Sequence, residues 1–287
     1  MRRLLVFGRT GQVAREMARR CPEGAEVRFL GREEADLSDP QACADAVAGS
    51  GADAVINVAA WTAVDRAEAE EQAVTVVNGL APGAMARACA ALSIPFLHVS
   101  TDYVFDGLGT APFTPDSPPA PIGAYGRSKL AGEAAIRASG ARHLILRTSW
   151  VFSAHGANFV RTMLRLGAER ENLRVVADQV GGPTPAAAIA RALFIAADAM
   201  AEGHPGGTHH LAGAPDTSWA DFARAIMQAA DLPCRIEGIP SADYPTPAKR
   251  PLNSRLDCTA LMRDFGIARP EWRAGLATVI AELGGTT

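Results

Sequence analysis

Several things are scarce in this chain of 287 residues. Cysteine is one: Cys21, Cys43, Cys89, Cys234 and Cys258 are scattered, odd in number and without a CxxC pair. That argues against a disulfide framework or a zinc site and fits a reducing compartment, with the thiols packing as small apolar groups. Basic charge is not in excess either, since 28 Lys and Arg stand against 31 Asp and Glu, a net charge of -3. No broad cationic field advertises nucleic acid or an anionic membrane. Long apolar runs are missing, and none approaches the ~20 residues that a membrane helix needs. The start, Met1-Arg2-Arg3 and a short apolar stretch ending at Gly8, is too short for a secretory signal and reads as a first buried strand. No repeat or low-complexity tract is evident. With 48% hydrophobic and 21% charged residues, the chain is expected to be a cytoplasmic globular protein.

What is present is an alternation. Leu4 to Phe7, Val27 to Leu30, Ala54 to Ala59, Phe96 to Ser100 and Leu144 to Thr148 are short apolar runs, the pattern of strands buried on both faces. Helix-favouring stretches lie between them: Gln12 to Arg20, Pro40 to Ala48, Gln72 to Leu92 and Ala124 to Ser139. Pro40 after Asp39 is a start signal and Gly140 a stop. The expected fold is α/β, a Rossmann-type doubly wound parallel sheet with a smaller C-terminal α/β lobe. Residues 1–150 are expected to form the dinucleotide-binding core, with a helix or strand returned from the second half. Residues 151–287 are expected to form mainly the substrate-binding lobe, with helices at Ala186 to Ala201, Trp219 to Ala229 and Trp272 to Leu283. The proline-rich stretch Pro112 to Pro121 reads as a surface loop near the site.

Two short stretches carry the chemistry. Gly8-Arg-Thr10-Gly11-Gln12-Val13-Ala14 follows the first strand and opens the first helix. Glycine at 8 and 11 permits a tight turn or close backbone approach, and the helix start offers N–H groups and a positive dipole end to a pyrophosphate. At the end of the second strand an enzyme strict for NAD often carries an acid. Here Gly31-Arg32 stands instead. Arg32 offers a cation to a 2'-phosphate, which favours NADPH and leaves NADH open. Asp36 and Leu37 are placed to reach the adenine.

The second stretch is Tyr125-Gly-Arg-Ser-Lys129, after Ser100-Thr101-Asp102-Tyr103. Residues four apart share a helix face. A nearby ammonium is expected to lower the tyrosine toward a working acid-base range. Thr101, at the end of the fourth strand, is placed to bond a substrate carbonyl. Thr101, Tyr125 and Lys129 are the expected catalytic set. His209-His210 is not read as a metal site, because a strand puts the two rings on opposite faces.

These strings resemble the extended short-chain dehydrogenase/reductase superfamily, and most closely the dTDP-4-dehydrorhamnose reductases. The likeness runs through Gly8 to Ala14, Asn57 to Glu68, Val77 to Pro82, Ser100 to Gly107, Tyr125 to Lys129, Arg147 to Phe152, Asp178 to Ala186 and Arg250 to Asp257. It implies NADPH-dependent reduction of the 4-keto group of a dTDP-sugar, with Tyr125 as proton donor, Lys129 as its partner and holder of the nicotinamide ribose, and Thr101 polarising the carbonyl. It further implies Asp102 and Trp150 at the sugar, and Ala59, Ala60 and Thr62 along the adenosine and pyrophosphate. Lys249, Arg250 and Arg255 are the candidate anchors for the substrate's phosphates. Trp61 departs from the histidine or tyrosine frequent at its position, and Ala14 from a third glycine. Some relatives form a magnesium-bridged dimer through glutamates, and Glu16 matches one of these; the chain is expected to be a monomer or homodimer. Two other readings stay open: a nucleotide-sugar epimerase or dehydratase of the same fold, and a non-catalytic subunit like the β subunit of methionine adenosyltransferase. Tyr103 stands where a dehydratase usually has Glu, which counts against the former.

Overall fold

A computed structural model of the chain describes residues 2–284. Five of its strands are β1 (Arg2–Phe7), β2 (Ala25–Leu30), β3 (Ala54–Asn57), β4 (Phe96–Thr101) and β5 (His143–Thr148). With Gly206–Leu211 they form one sheet in the order β2, β1, β3, β4, β5 and Gly206–Leu211, every pairing parallel. The order reverses between β1 and β3. A crevice opens beyond the carboxyl ends of strands at such a reversal.

The sheet is covered on both sides. On one face Val6, Ile56, Leu97 and Leu146 pack against α1 (Gln12–Arg19) and the helix Ala186–Ala201. On the other, Leu5, Phe7, Val55 and Ile145 pack against α2 (Pro40–Ala48) and the helix Ala81–Ala91. Asp39 caps α2 by accepting from Ala42 N–H at 3.0 Å.

The single helix expected over Gln72 to Leu92 is in fact interrupted. A π turn, Val76–Leu80, joins the helices Glu71–Thr75 and Ala81–Ala91. Pro82 has no N–H to give to the carbonyl four residues back, and the widened turn lets the Asn78 side chain face inward. Its Oδ1 accepts from Trp61 N–H at 2.8 Å, while its Nδ2 donates to Trp61 O at 3.0 Å and to Ser128 Oγ at 3.1 Å.

The remaining strands are short and make small local sheets: Val180–Gly181 between Thr217–Ser218 and Asn253–Ser254, Asn172–Val176 with Arg235–Ile239, and Val151–Phe152 with Thr184–Pro185. A separate core of Phe152, Met163, Leu173, Phe222, Trp272 and Leu276 holds the helices Phe159–Glu169, Trp219–Ala229 and Trp272–Gly284 around them. Among the described residues no helix is long and apolar enough to cross a membrane.

Candidate active site

The crevice has two walls. The first is the turn from β1 into α1. Gly8 adopts φ +117°, and a Cβ there would come within 3.1 Å of Val58 Cγ2 and 3.4 Å of Ala59 N. Gly11 is different: its φ is -69°, and a Cβ would meet nothing within 4 Å. No protein contact requires glycine at 11, so the open space in front of it fits a group that approaches the backbone closely. Among the described residues no side chain caps α1. This uncapped start of a helix is the donor set a pyrophosphate needs, and the residues fit a dinucleotide.

Around that turn the expected residues divide. Thr10 is exposed, and its carbonyl accepts from Arg15 Nε at 3.1 Å. Val13 packs into the core, which leaves its backbone to the turn. The Gln12 side chain is committed elsewhere: its Oε1 accepts from Ser153 Oγ and Asn158 Nδ2, each at 3.0 Å, tying the turn to the second lobe. Arg32 is exposed, with Asp36 4.0 Å away, and Asp36 accepts from Ser38 N–H at 2.9 Å. The Leu37 side chain packs inward in the core that holds Leu5, Cys43 and Val47, which leaves its backbone as the part that could reach an adenine. Ala59 and Ala60 are half-buried and Thr62 is exposed.

A second cation, Arg9, was not singled out by sequence reasoning. It binds Glu33 at 2.7 Å, the Phe29 carbonyl at 2.9 Å, and Glu34. The acids that follow β2 are thus neutralised by an arginine from the phosphate turn, a pairing that only the β1–β2 register creates.

The other wall is the end of β4 and the helix Ala124–Arg137. Glu68 Oε1 accepts from Ala124 N–H at 2.8 Å and so caps that helix. Thr101 Oγ1 donates to Asp102 Oδ1 at 3.0 Å and accepts from Tyr103 N–H at 3.2 Å. Burial pushes the Asp102 carboxyl up to about 6, against the pull of the Ser254 and Thr101 hydroxyls. Its Oδ2 makes no hydrogen bond of normal geometry among the described residues. A buried carboxylate oxygen without a partner is costly, and a sugar hydroxyl has the chemistry to satisfy it.

Tyr125 is half-buried and edge-on to Tyr103, ring centres 5.4 Å apart. Burial pushes its phenol up to about 12, with a hydrogen bond to Thr101 opposing. Lys129 is buried, and its Nζ lies 2.8 Å from His98 Nε2 and donates to Val99 O at 2.8 Å. Burial brings that amine down to about 7. Here the structure corrects the sequence expectation. Among the described residues no hydrogen bond joins Lys129 to Tyr125, and the phenol moves up rather than down because its desolvation dominates. Neutral phenol is the form that can give a proton.

Farther along the same helix, Glu133 binds Arg147 Nε at 2.9 Å and Nη2 at 2.7 Å, and accepts from Ser100 Oγ at 2.6 Å. All three are buried. Asn57, His98, Glu133 and Arg147 were absent from the sequence reading of the site. The polar Ser100 and His98 within an otherwise apolar strand were the available signal.

Trp150 adopts φ +49°. Its ring stacks on Trp219 with centres 3.7 Å apart and covers Gly181. Arg250 is not a free anchor: its Nη1 and Nη2 donate to Asp65 at 3.2 and 2.9 Å, fastening the segment around 248–250 to the helix Val64–Ala67. Arg255 donates to Asn253 Oδ1 at 3.0 Å, and Lys249 is exposed.

Glu16 lies beside His155 and Glu282. Its carboxylate is ion-paired with Arg20 and with Arg19 at 3.5 Å, and His155 Nε2 lies 3.2 Å away. Guanidinium groups hold the oxygens a magnesium ion would need, so these residues do not fit that ion. His209 binds Asp264 and His210 binds the Phe113 carbonyl, as opposite faces of one strand dictate.

Comparison with known proteins shows the family. Residues 1–284 match the family model described as RmlD substrate binding domain. A dTDP-4-dehydrorhamnose reductase of Burkholderia thailandensis is 45% identical over 98% of this chain and 99% of its own length. Among solved structures, a dTDP-4-dehydrorhamnose reductase from Clostridium acetobutylicum superposes with a TM-score of 0.92 at 32% identity, covering 98% of this chain and 99% of that one. The same enzyme from Bacillus anthracis, in complex with NADP, gives 0.91 at 30% identity with the same coverage. With its glycine turn, its Thr101, Tyr125 and Lys129 wall and this full-length likeness, the chain belongs to the RmlD substrate binding domain family, the family of the dTDP-4-dehydrorhamnose reductases.

Proposed function

We propose that this chain reduces the 4-keto group of dTDP-4-dehydro-L-rhamnose to give dTDP-L-rhamnose, with NADPH as reductant. The observation that carries the reading is the joint placement of Thr101, Asp102 and Tyr125 at the carboxyl end of β4, across the sheet reversal from the Gly8–Gly11 turn. Residues 1–150 are read as mainly the cofactor-binding part and 151–287 as mainly the substrate lobe. NADPH, when bound, supplies the hydride. Thr101 orients the carbonyl oxygen, and Tyr125 gives that oxygen its phenolic proton, so that charge does not accumulate on the new alcohol. Tyr125 then recovers a proton from solvent. Asp102 Oδ2 accepts from a sugar hydroxyl. Gln12 and Val13 present backbone N–H groups to the pyrophosphate, Lys129 holds the nicotinamide ribose, and Arg32 faces the 2'-phosphate. Trp150 walls the sugar side. A cytoplasmic enzyme acting on a soluble nucleotide sugar completes the reading.

The test is NADPH oxidation with enzymatically generated dTDP-4-dehydro-L-rhamnose, followed by identification of the sugar. Substrate-dependent oxidation yielding dTDP-L-rhamnose is the expected result. NADPH binding without oxidation would overturn it.

A further inference from the structure

Lys129 is 1% exposed and meets His98, which is 0% exposed and in turn meets Asn57, also 0% exposed. Asn57 and His98 are register partners on β3 and β4, so the two side chains share a face of the sheet. The hydrogens along this chain can be assigned from its ends. Asn57 Oδ1 accepts from Ala59 N–H at 3.0 Å. That orients the amide, and the Nδ2 donor faces His98 Nδ1 at 3.1 Å. His98 must therefore accept at Nδ1. A neutral imidazole that accepts at one nitrogen carries its hydrogen on the other. The Nε2–H then points at Lys129 Nζ, 2.8 Å away. An ammonium has three donors and no acceptor, and only the uncharged amine has a lone pair to receive this hydrogen.

Among the described residues one carboxylate opposes this: the charge of Glu133 raises Lys129, but desolvation of the amine outweighs it. Glu133, one turn on, has both oxygens engaged by Ser100, Arg147 and Arg137. Tyr125, one turn back, makes no hydrogen bond to Nζ among the described residues. Asn78 and Ser128 are bonded to each other. The strand face contributes the Val99 carbonyl, which takes one amine hydrogen.

We propose that Asn57 and His98 are positioning residues that hold Lys129 as an uncharged amine in the cofactor-free enzyme, so that the lysine becomes charged only by giving up its bond to His98. This rests on Lys129 belonging to the proton-transfer set. Burial acts in the same direction, since it carries His98 well below the ordinary imidazole range and lowers Lys129 as well. Ala59 belongs to the segment read as lining the cofactor, so the hydrogen-bonded chain joins that segment to the catalytic lysine.

The experiment is NMR on the full cofactor-free chain, and it needs no substrate. The chain has only two lysines, Lys129 and Lys249, so lysine side-chain labelling gives two titrations, told apart by Lys249→Arg. Lys129 is expected to titrate near 7, roughly three pH units below an unperturbed lysine. Ring-nitrogen shifts of His98, assigned with His98→Gln, are expected to show the neutral Nε2–H tautomer. Asn57→Asp removes the Nδ2 donor and is expected to turn His98 to the Nδ1–H tautomer and raise Lys129. Titration of Lys129 together with Lys249, or an Nδ1–H or charged His98 at neutral pH in the unaltered protein, would overturn the proposal. Neither result depends on which sugar the enzyme reduces, so failure here is distinct from failure of the reductase reading.

Discussion

The two walls of the crevice are built on different principles. On the side proposed to bind the pyrophosphate, the groups assigned to that task are backbone, and the side chains around them are exposed or turned away. Gly11 faces open space, Arg32 reaches into solvent, and Gln12 is occupied with the second lobe. On the side proposed to transfer the proton, the groups assigned to that task are side chains held by buried polar partners: Tyr125 by Thr101, Lys129 by His98, and the helix itself by Glu133 on Arg147. An anion-binding wall needs only correct backbone geometry and room. A wall that moves protons needs groups removed from water, and each such group then requires a partner.

Substitutions on the two walls are expected to separate accordingly. The largest effect should come from Tyr125→Phe, which removes the acid and keeps the ring: turnover should fall by roughly a hundred- to ten-thousand-fold. NADPH affinity, measured by calorimetry, should be unchanged. Equal loss of binding would make the two walls one unit.

Arg147→Met leaves Glu133 buried with only Arg137 and Ser100. Denaturant unfolding should register a loss of about 3–5 kcal/mol. A loss within experimental scatter would mean that the buried pair does not hold the catalytic helix.

On the phosphate wall the two glycines should differ. Gly8→Ala forces φ +117° on a residue with a Cβ and should cost about 1–3 kcal/mol of stability. Gly11→Ala should leave stability within about 0.5 kcal/mol yet weaken NADPH by about tenfold. Unchanged NADPH affinity in Gly11→Ala would remove the pyrophosphate from that space.

Asp102 offers a pH test. Its carboxyl is raised to about 6 in the fold from an unfolded value of about 3.9. The folded state therefore favours the protonated acid. That stabilisation is complete below pH ~4 and is lost as pH rises through about 6. Asp102→Asn should accordingly stabilise the protein by about 1–2 kcal/mol at pH 7, fading to nothing near pH 4, while turnover falls. A gain that does not vary with pH would have another origin. The smallest effect is expected at exposed Arg32: Arg32→Ala should raise the NADPH KM by about fivefold, near 1 kcal/mol, with little change for NADH. Equal changes with the two cofactors would show that Arg32 does not read the 2'-phosphate.

Much of this was legible in the linear chain. Apolar runs of four to six residues separated by amphipathic stretches dictate a buried parallel sheet, and Tyr125 and Lys129 at a spacing of four must share a helix face. Glycine after the first strand marks the phosphate turn because backbone conformation is a local property. The π turn at Val76–Leu80 was hidden, since a proline inside an alanine-rich helix does not say which way the helix will yield. The directions of the Leu37 and Arg250 side chains were hidden for a related reason: an apolar residue beside a strand end and an arginine beside a proline can each face inward or outward, and α2 and Asp65 decided.

What the sequence by itself determined is the order of elements, the turn geometry and which residues are proposed to react, all of which follow from neighbours within a few residues. What only the tertiary structure decided is the state of those groups. His98 meets Lys129 across 31 residues, Asn57 meets His98 across 41, and Arg250 meets Asp65 across 185. Whether a lysine is charged or a phenol neutral depends on desolvation and on the donors and acceptors around it, and those are assembled only when β3, β4 and the helix Ala124–Arg137 come together.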